Sequence, residues 1–146
     1  MREILFRGKR LDNGEWVEGN LFVSDTDGGT YILAGSRIVT IEWEVDPSTV
    51  GQYTGLKDKN GERIFEGDIV ECVSWNEYFS IPEYNLFQNF RRVMVVVFHT
   101  GAFCMKESMP DPLRPNYWDL IYNGDIEIIG NIHDNPEFMK GDADNV

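Results

Sequence analysis

Turn signals at short intervals constrain this chain more than any other feature of its sequence. Asn13-Gly14 and Asn60-Gly61 each separate two short apolar runs, and Asn-Gly pairs readily supply the positive φ angles of tight hairpin turns. The run at 92–98 is apolar at both parities, which indicates a strand covered on both faces. Short strands separated by such turns are typical of small barrels and sandwiches, so the sequence predicts an all-β (mainly β) fold.

Two stretches depart from the strand pattern. Residues 75–91 are rich in aromatic side chains, and the three-residue spacing of several of them predicts one short amphipathic helix from about Pro82 to Phe90. Residues 107–122 contain three prolines, which exclude a central strand. We therefore interpret both stretches as excursions from a β-rich core.

A motif of about twenty residues resembles that of a known family. Residues 49–61 read Thr-Val-Gly-Gln-Tyr-Thr-Gly-Leu-Lys-Asp-Lys-Asn-Gly, and Ile-Phe-Glu-Gly-Asp-Ile-Val follows at 64–70. Supporting segments are Phe-Arg-Gly-Lys at 6–9, Asn-Gly-Glu-Trp-Val at 13–17 and Ile-Gly-Asn-Ile-His-Asp-Asn-Pro-Glu at 129–137. Over nearly its whole length the chain is similar to the YopX-like proteins of phages and prophages.

The resemblance implies a small β domain whose C-terminal part looks like an SH3-type barrel. We expect a β-rich N-terminal unit at residues 1–50 and an SH3-like barrel at 51–137, with inserts at 75–91 and 107–122. A flexible acidic tail is expected at 138–146. The resemblance implies no activity, and small barrels host many unrelated tasks. It does suggest a bacterial cytoplasm during phage infection or lysogeny.

The charge distribution argues against nucleic acid as the main partner. The formal net charge is −12, and it is even: 8 basic minus 14 acidic residues give −6 in 1–73, and 5 minus 11 give −6 in 74–146. Binding to phosphate requires a surplus of lysine and arginine. Only the N-terminus is locally basic, and its cations either protect a strand edge from aggregation or contact nucleic acid. These cations are Arg2, Arg7, Lys9 and Arg10.

The cysteine and histidine content favours neither a metal site nor an enzyme. A structural zinc site needs four ligands at close spacing, and this chain holds only Cys72, Cys104, His99 and His133. The two cysteines lie in apolar runs, where a reactive thiolate is disfavoured, and no Gly-x-Ser-x-Gly motif is present. We expect no catalytic residues, no cofactor and no metal. A small hydrolase using His99 or His133 is the third hypothesis.

The N-terminal sequence and the hydropathy pattern predict a cytoplasmic protein without a membrane contact. Residues 1–9 carry charges where a signal peptide would need an apolar run. No stretch approaches the ~18 consecutive apolar residues of a membrane-spanning helix.

The aromatic residues of the two excursions are the candidate binding surface. They either form a satellite core or anchor a contact with a host or phage protein or with a second copy of the chain, because aromatic side chains dominate interface anchors. We favour a non-enzymatic phage or prophage accessory protein that binds protein or self-associates. The alternative is a nucleic-acid-binding module that uses the N-terminal cations and the aromatic insert. The candidate partner-binding residues are Trp75, Tyr78, Phe79, Phe87, Tyr117 and Trp118.

Overall fold

The structure is a computed structural model whose described part is built from two antiparallel sheets. It divides into two compact units, Met1–Gly55 and Leu56–Val146. The described part contains no α-helix, and its 3-10 segments include Pro47–Thr49 and Pro136–Met139. The prediction of a mainly β fold is therefore confirmed. The residues described are 3–36, 38–73, 91–108, 117–120 and 126–139.

Several predictions of chain organisation stay predictions. The closed SH3-like barrel is one, and the boundaries of the predicted segments are another. The short helix predicted between Pro82 and Phe90 lies outside the described residues. No helix in the ranges that the structure covers is long and apolar enough to cross a membrane.

Unit 1 contains an antiparallel sheet with the strand order β4-β3-β2-β1-β5. The predicted hairpin turn joins β1 to β2, with Gly14 at a φ of 73° and its N–H donating to the Arg10 carbonyl over 2.9 Å. Asn13 contributes its side-chain oxygen, which accepts the Glu15 N–H at 3.0 Å. The strands are β1 (Phe6–Lys9), β2 (Trp16–Val23), β3 (Thr30–Gly35), β4 (Thr40–Glu44) and β5 (Gly51–Lys57).

The sheet of unit 1 curls so that the end of β4 meets the end of β1. Arg10 and Val45 form an antiparallel bridge, and the Val45 side chain is buried. Gly8 permits this approach, because a Cβ at that position would lie 3.0 Å from a methyl carbon of Val45. Ile32, directly opposite Leu21 on β2, is fully buried at the centre of the curled sheet. Apolar side chains at alternate positions thus point to one face, as the strand period of two requires.

Unit 2 contains an antiparallel sheet with the strand order β10-β9-β8-β7-β11. Met94, Val95 and Val96 are consecutive in β8 and all buried, so the prediction that both faces of this strand are covered is confirmed. The strands of this sheet are β7 (Asp68–Val73), β8 (Arg91–His99), β9 (Ala102–Glu107), β10 (Tyr117–Asp119) and β11 (Ile126–Asn131), and β6 (Arg63–Phe65) lies in unit 2 outside this sheet.

One apolar cluster and two buried carboxylates hold unit 2 together. Asp68 accepts the Phe65 N–H over 2.7 Å, so its buried carboxylate serves a backbone donor at the start of β7. Asp58 accepts three backbone N–H groups. Cys72 lies in the cluster, and both cysteines are buried and form no disulfide. The cluster consists of Ile64, Val70, Cys72, Met94, Val96, Met105, Leu120 and Ile126.

Candidate functional site

The hairpin between β8 and β9 presents aromatic side chains at one end of unit 2. Thr100 and Gly101 form its tip with φ angles of 47° and 87°, a left-handed conformation that glycine adopts without strain. Phe98 and Phe103 lie directly opposite each other across the hairpin, with ring centroids 5.2 Å apart in an edge-to-face arrangement. Phe103 packs against the core, whereas 57% of Phe98 is exposed. The hairpin therefore holds a large apolar ring in solvent.

The opposite face of the same hairpin carries a stacked pair of rings. The His99 imidazole lies 3.8 Å from the Tyr117 ring, and the two planes differ by only 5°. Tyr117 belongs to β10 and pairs with Lys106 of β9, whose ammonium nitrogen is 5.9 Å from the phenol ring centroid. His99 is exposed, and so is 39% of Tyr117. The stack fixes the orientation of both rings, that of Tyr117 on β10 and that of His99 at the end of β8.

We call Phe98, His99, Phe103 and Tyr117 the aromatic end of unit 2. Its exposed rings offer apolar area with little conformational freedom to lose, and the imidazole and phenol add polar edges that hydrogen-bond to a partner. Rings of this kind, held rigidly on strands, are typical anchors of protein interfaces. The aromatic end is therefore the candidate functional site.

The structure places only part of the predicted binding surface. Tyr117 lies in the aromatic end. Trp118 is on β10 in register with Met105, and only its backbone is described. The other four predicted anchors fall outside the described residues: Trp75, Tyr78, Phe79 and Phe87.

Sequence reasoning missed Phe98 as a binding residue and treated His99 only as an acid–base candidate. The signal was present, because Phe98 and Phe103 flank a four-residue segment, His-Thr-Gly-Ala, that contains a tight turn. Residues at such positions become cross-strand partners once the hairpin forms.

The N-terminal cations contact groups of unit 1 itself. The Arg7 guanidinium carbon lies 4.7 Å from the Trp16 ring centroid and the Lys9 ammonium nitrogen 5.5 Å, both within the range of cation–π attraction. Arg10 donates two hydrogen bonds, of 2.9 and 2.6 Å, to the Asp12 carboxylate. This bidentate contact holds the pKa of Asp12 below its ordinary value. Arg2, the fourth predicted cation, lies outside the described residues.

The other reactive candidates have local structural roles. His133 is half-buried, and its backbone N–H donates to the side-chain oxygen of Asn131 over 3.0 Å within the turn that follows β11. Cys72 and Cys104 are buried in the sheet. Among the residues that the structure describes, no group of three or more His, Cys, Asp or Glu side chains is placed to hold a metal ion.

The phenol of Tyr31 on β3 has a strongly raised pKa. Its hydroxyl donates to Asp27 over 2.6 Å, and this hydrogen bond raises the pKa of Tyr31 from 10.0 to about 12. Desolvation and the negative charges of Asp27, Glu44 and Glu42 add to the effect. Because the folded pKa is raised, the bond is intact below pH 10 and is lost as pH rises through about 12.

Replacement of Asp27 by asparagine is expected to return the pKa of Tyr31 toward 10.0, since it removes the charged acceptor. The pKa is measured by following the phenol carbon of Tyr31 by NMR during an alkaline titration. Asp25→Asn, in the same exposed loop, is the control and leaves the titration unchanged. An ordinary tyrosine pKa for Tyr31 in the unmodified protein would contradict the hydrogen bond.

Fold and site together define a small mainly β protein of two antiparallel sheets with an exposed aromatic end. A family model described as "YopX protein" matches residues 5–140, and the chain belongs to the YopX family. The resemblance drawn from the motif at 49–70 is thereby confirmed.

A solved structure shares this fold. The crystal structure of protein EF1440 from Enterococcus faecalis is similar with a TM-score of 0.53 and 24% sequence identity, over 96% of this chain and 100% of that one. The comparison with curated proteins found no match. Neither the family description nor the name of that structure specifies an activity, and at 24% identity the structural likeness supports the fold alone.

Proposed function

We propose that this YopX-family chain is a non-enzymatic accessory protein of a phage or prophage that binds another protein through the aromatic end of unit 2. The partner is a host or phage protein or a second copy of the chain, and the contact is made in the bacterial cytoplasm. One observation carries the proposal: the His99–Tyr117 stack, with Phe98 exposed on the same hairpin.

Burial of these rings supplies the driving force for binding. Removing an exposed large apolar side chain from water is worth about 1.5 to 3 kcal/mol, and aromatic anchors dominate the affinity of protein interfaces. The edge-to-face contact with Phe103 holds the exposed ring of Phe98 in place before a partner arrives, and the stack of His99 on Tyr117 does the same for those two exposed rings. Such preorganisation lowers the entropic cost of association.

Nucleic-acid binding is the less favoured function. The net charge of −12 repels phosphate, and Arg7, Lys9 and Arg10 contact Trp16 and Asp12 of their own unit. A phosphate would have to compete with these contacts for the basic groups.

A catalytic role for His99 is also less favoured. One face of its imidazole is covered by the Tyr117 ring, and no carboxylate contact of His99 supports an acid–base pair among the described residues. A stacked imidazole on an exposed edge is better suited to recognition than to proton transfer.

Loss of Phe98 and Tyr117 together is expected to abolish capture of the partner. The protein, the double variant Phe98→Ala/Tyr117→Ala and a control are tagged and recovered from phage-infected or induced cells, and sedimentation velocity reports self-association. Phe138→Ala is a matched control, because 39% of Phe138 is exposed, as for Tyr117, and it follows β11 at the other edge of the sheet.

The expected result is a partner, or a dimer, retained by the unmodified protein and by Phe138→Ala and lost from the double variant. Far-ultraviolet circular dichroism confirms that each variant is folded. Equal capture and equal sedimentation of the folded double variant would refute the proposal. Salt-sensitive recovery of nucleic acid in place of a protein would favour the alternative function.

A further inference from the structure

The hydrogen bonds between β3 and β4 show which way the backbone of β4 faces. The Val45 N–H donates to the Thr30 carbonyl over 2.9 Å at one end of the ladder. The Ser36 N–H donates to the Val39 carbonyl over 2.8 Å at the other end. In an antiparallel ladder such hydrogen-bonded pairs alternate with pairs whose backbone groups point away from each other.

The alternation assigns each residue of β4 to one side. Ile41 and Trp43 direct their backbone groups toward β3, whereas Thr40, Glu42 and Glu44 direct theirs away from it. β4 is the last strand in the order of its sheet, so these outward groups lie on a sheet edge. An unpaired strand edge is a template on which another extended segment can pair.

The far end of this edge is occupied by the protein's own chain. The Leu11 N–H donates to the Glu44 carbonyl over 3.0 Å, which confirms that the Glu44 backbone faces outward. In the part of the chain that the structure describes, the residues of β4 that precede Glu44 pair with β3 alone. The open edge therefore extends from Thr40 to Glu42, with the Glu44 N–H beyond them.

The side chains along the open edge differ on its two faces. Glu42 and Glu44 are exposed on one face, and their charges act on Tyr31 of β3, which lies opposite Glu44. Ile41 lies on the other face and is 46% exposed. A strand added here would meet carboxylates on one face and an apolar side chain on the other.

We propose that the open edge of β4 binds an extended, basic segment of another protein by antiparallel strand addition. Lysine or arginine opposite Thr40 and Glu42 reaches the Glu42 and Glu44 carboxylates diagonally on the same face, and the intervening apolar residue packs on Ile41. Directly opposed side chains on neighbouring strands share a face, so this alternation matches both faces at once. The site is in unit 1 and does not depend on the proposed role of the aromatic end.

A second copy of the chain is a poor occupant of this edge. Antiparallel pairing of two β4 strands centred on Glu42 would place the two Glu42 carboxylates directly opposite each other, and like charges at such positions are destabilising. The net charge of −12 adds long-range repulsion between copies. Charge complementarity thus favours a basic segment from a different protein.

The test uses short synthetic peptides with blocked termini and fluorescence anisotropy. A peptide that alternates lysine and valine over about seven residues is expected to bind. The same residues with the lysines grouped together are expected to bind at least about tenfold more weakly, because they cannot match both faces of the edge. Equal affinity for the two peptides would overturn the proposal.

Backbone methylation separates strand addition from simple charge attraction. In the proposed pairing the lysine N–H groups face β4 and the valine N–H groups face away. N-methylation at the lysines is expected to abolish binding, whereas N-methylation at the valines preserves it. Equal binding of the two methylated peptides would mean charge attraction alone and would overturn the proposal.

Two variants of Thr40 test the same edge from the protein's side. Thr40→Pro removes an outward N–H without removing a hydrogen bond to β3, and proline is tolerated on an edge strand in this orientation. Thr40→Pro is expected to weaken binding of the alternating peptide by about tenfold, whereas Thr40→Val retains the N–H and is expected to bind the peptide with unchanged affinity. Unchanged affinity in folded Thr40→Pro would contradict the proposal. If the unmodified chain dimerises and Thr40→Pro abolishes the dimer, the edge binds a second copy of the chain, and the proposal is overturned.

Discussion

Asp58→Ala is expected to lower the free energy of unfolding of unit 2 by about 3 kcal/mol. One carboxylate oxygen accepts the N–H groups of Asn60 and Glu62, each over 2.9 Å. The other accepts the N–H of Ile128 on β11 over 3.1 Å. Asp58 is only 8% exposed, so its removal leaves backbone donors without an acceptor in a site that water reaches poorly. Urea denaturation followed by circular dichroism measures the loss.

Two further variants make this prediction specific. Asp58→Asn keeps one side-chain oxygen, so it is expected to retain the turn contacts and lose the bond to Ile128, at roughly half the cost. Asp12→Ala removes an exposed carboxylate that pairs with Arg10, and exposed ion pairs contribute little to stability. If Asp58→Ala cost no more than Asp12→Ala, the account of Asp58 would be wrong.

Gly19→Ala is expected to cost about 3 kcal/mol or more, or to prevent unit 1 from folding. Gly19 is buried in β2, and a Cβ there would lie 2.1 Å from the carbonyl oxygen of Leu33 and 2.9 Å from its carbonyl carbon. Both atoms belong to the backbone of β3, so no side-chain rotation relieves the overlap. Glycine in a strand often marks such a close approach of two backbones.

Gly14→Ala is the matched control for this change. Gly14 has a φ of 73°, and nothing lies within 4 Å of the position that a Cβ would take, so alanine there costs only about 1 to 2 kcal/mol of backbone strain. The midpoint of urea denaturation, with hydrogen exchange in the peptides of β2 and β3, distinguishes the two variants. A larger loss for Gly14→Ala than for Gly19→Ala would contradict the packing described here.

The strands and turns were predictable because they depend on local sequence. Apolar alternation and the Asn13-Gly14 signal identify strands and a hairpin before any tertiary contact is known. The run at 92–98, which is apolar at both parities, identifies β8 in the same way. Contacts between distant residues were not predictable in this way. The bond from Ile128 to Asp58 joins residues 70 apart, and no local pattern marks it.

The candidate site was only partly predictable for a similar reason. Tyr117 was expected as a binding residue because it follows a proline-rich loop, but its stacking on His99 depends on the pairing of β10 with β9. Whether an aromatic ring is exposed depends on which elements cover it, and no local sequence pattern marks that. Phe98 and Phe103 illustrate this, since one is exposed and its cross-strand partner packs on the core.

Site-specific photo-crosslinking in cells tests the proposed contact through the aromatic end most directly. A photoreactive phenylalanine derivative replaces Tyr117 in one variant and Phe138 in another, and both positions are 39% exposed. The account predicts a discrete crosslinked protein, or a crosslinked dimer, from position 117 and none from position 138. The absence of a product from position 117, or the same product from both positions, would contradict it.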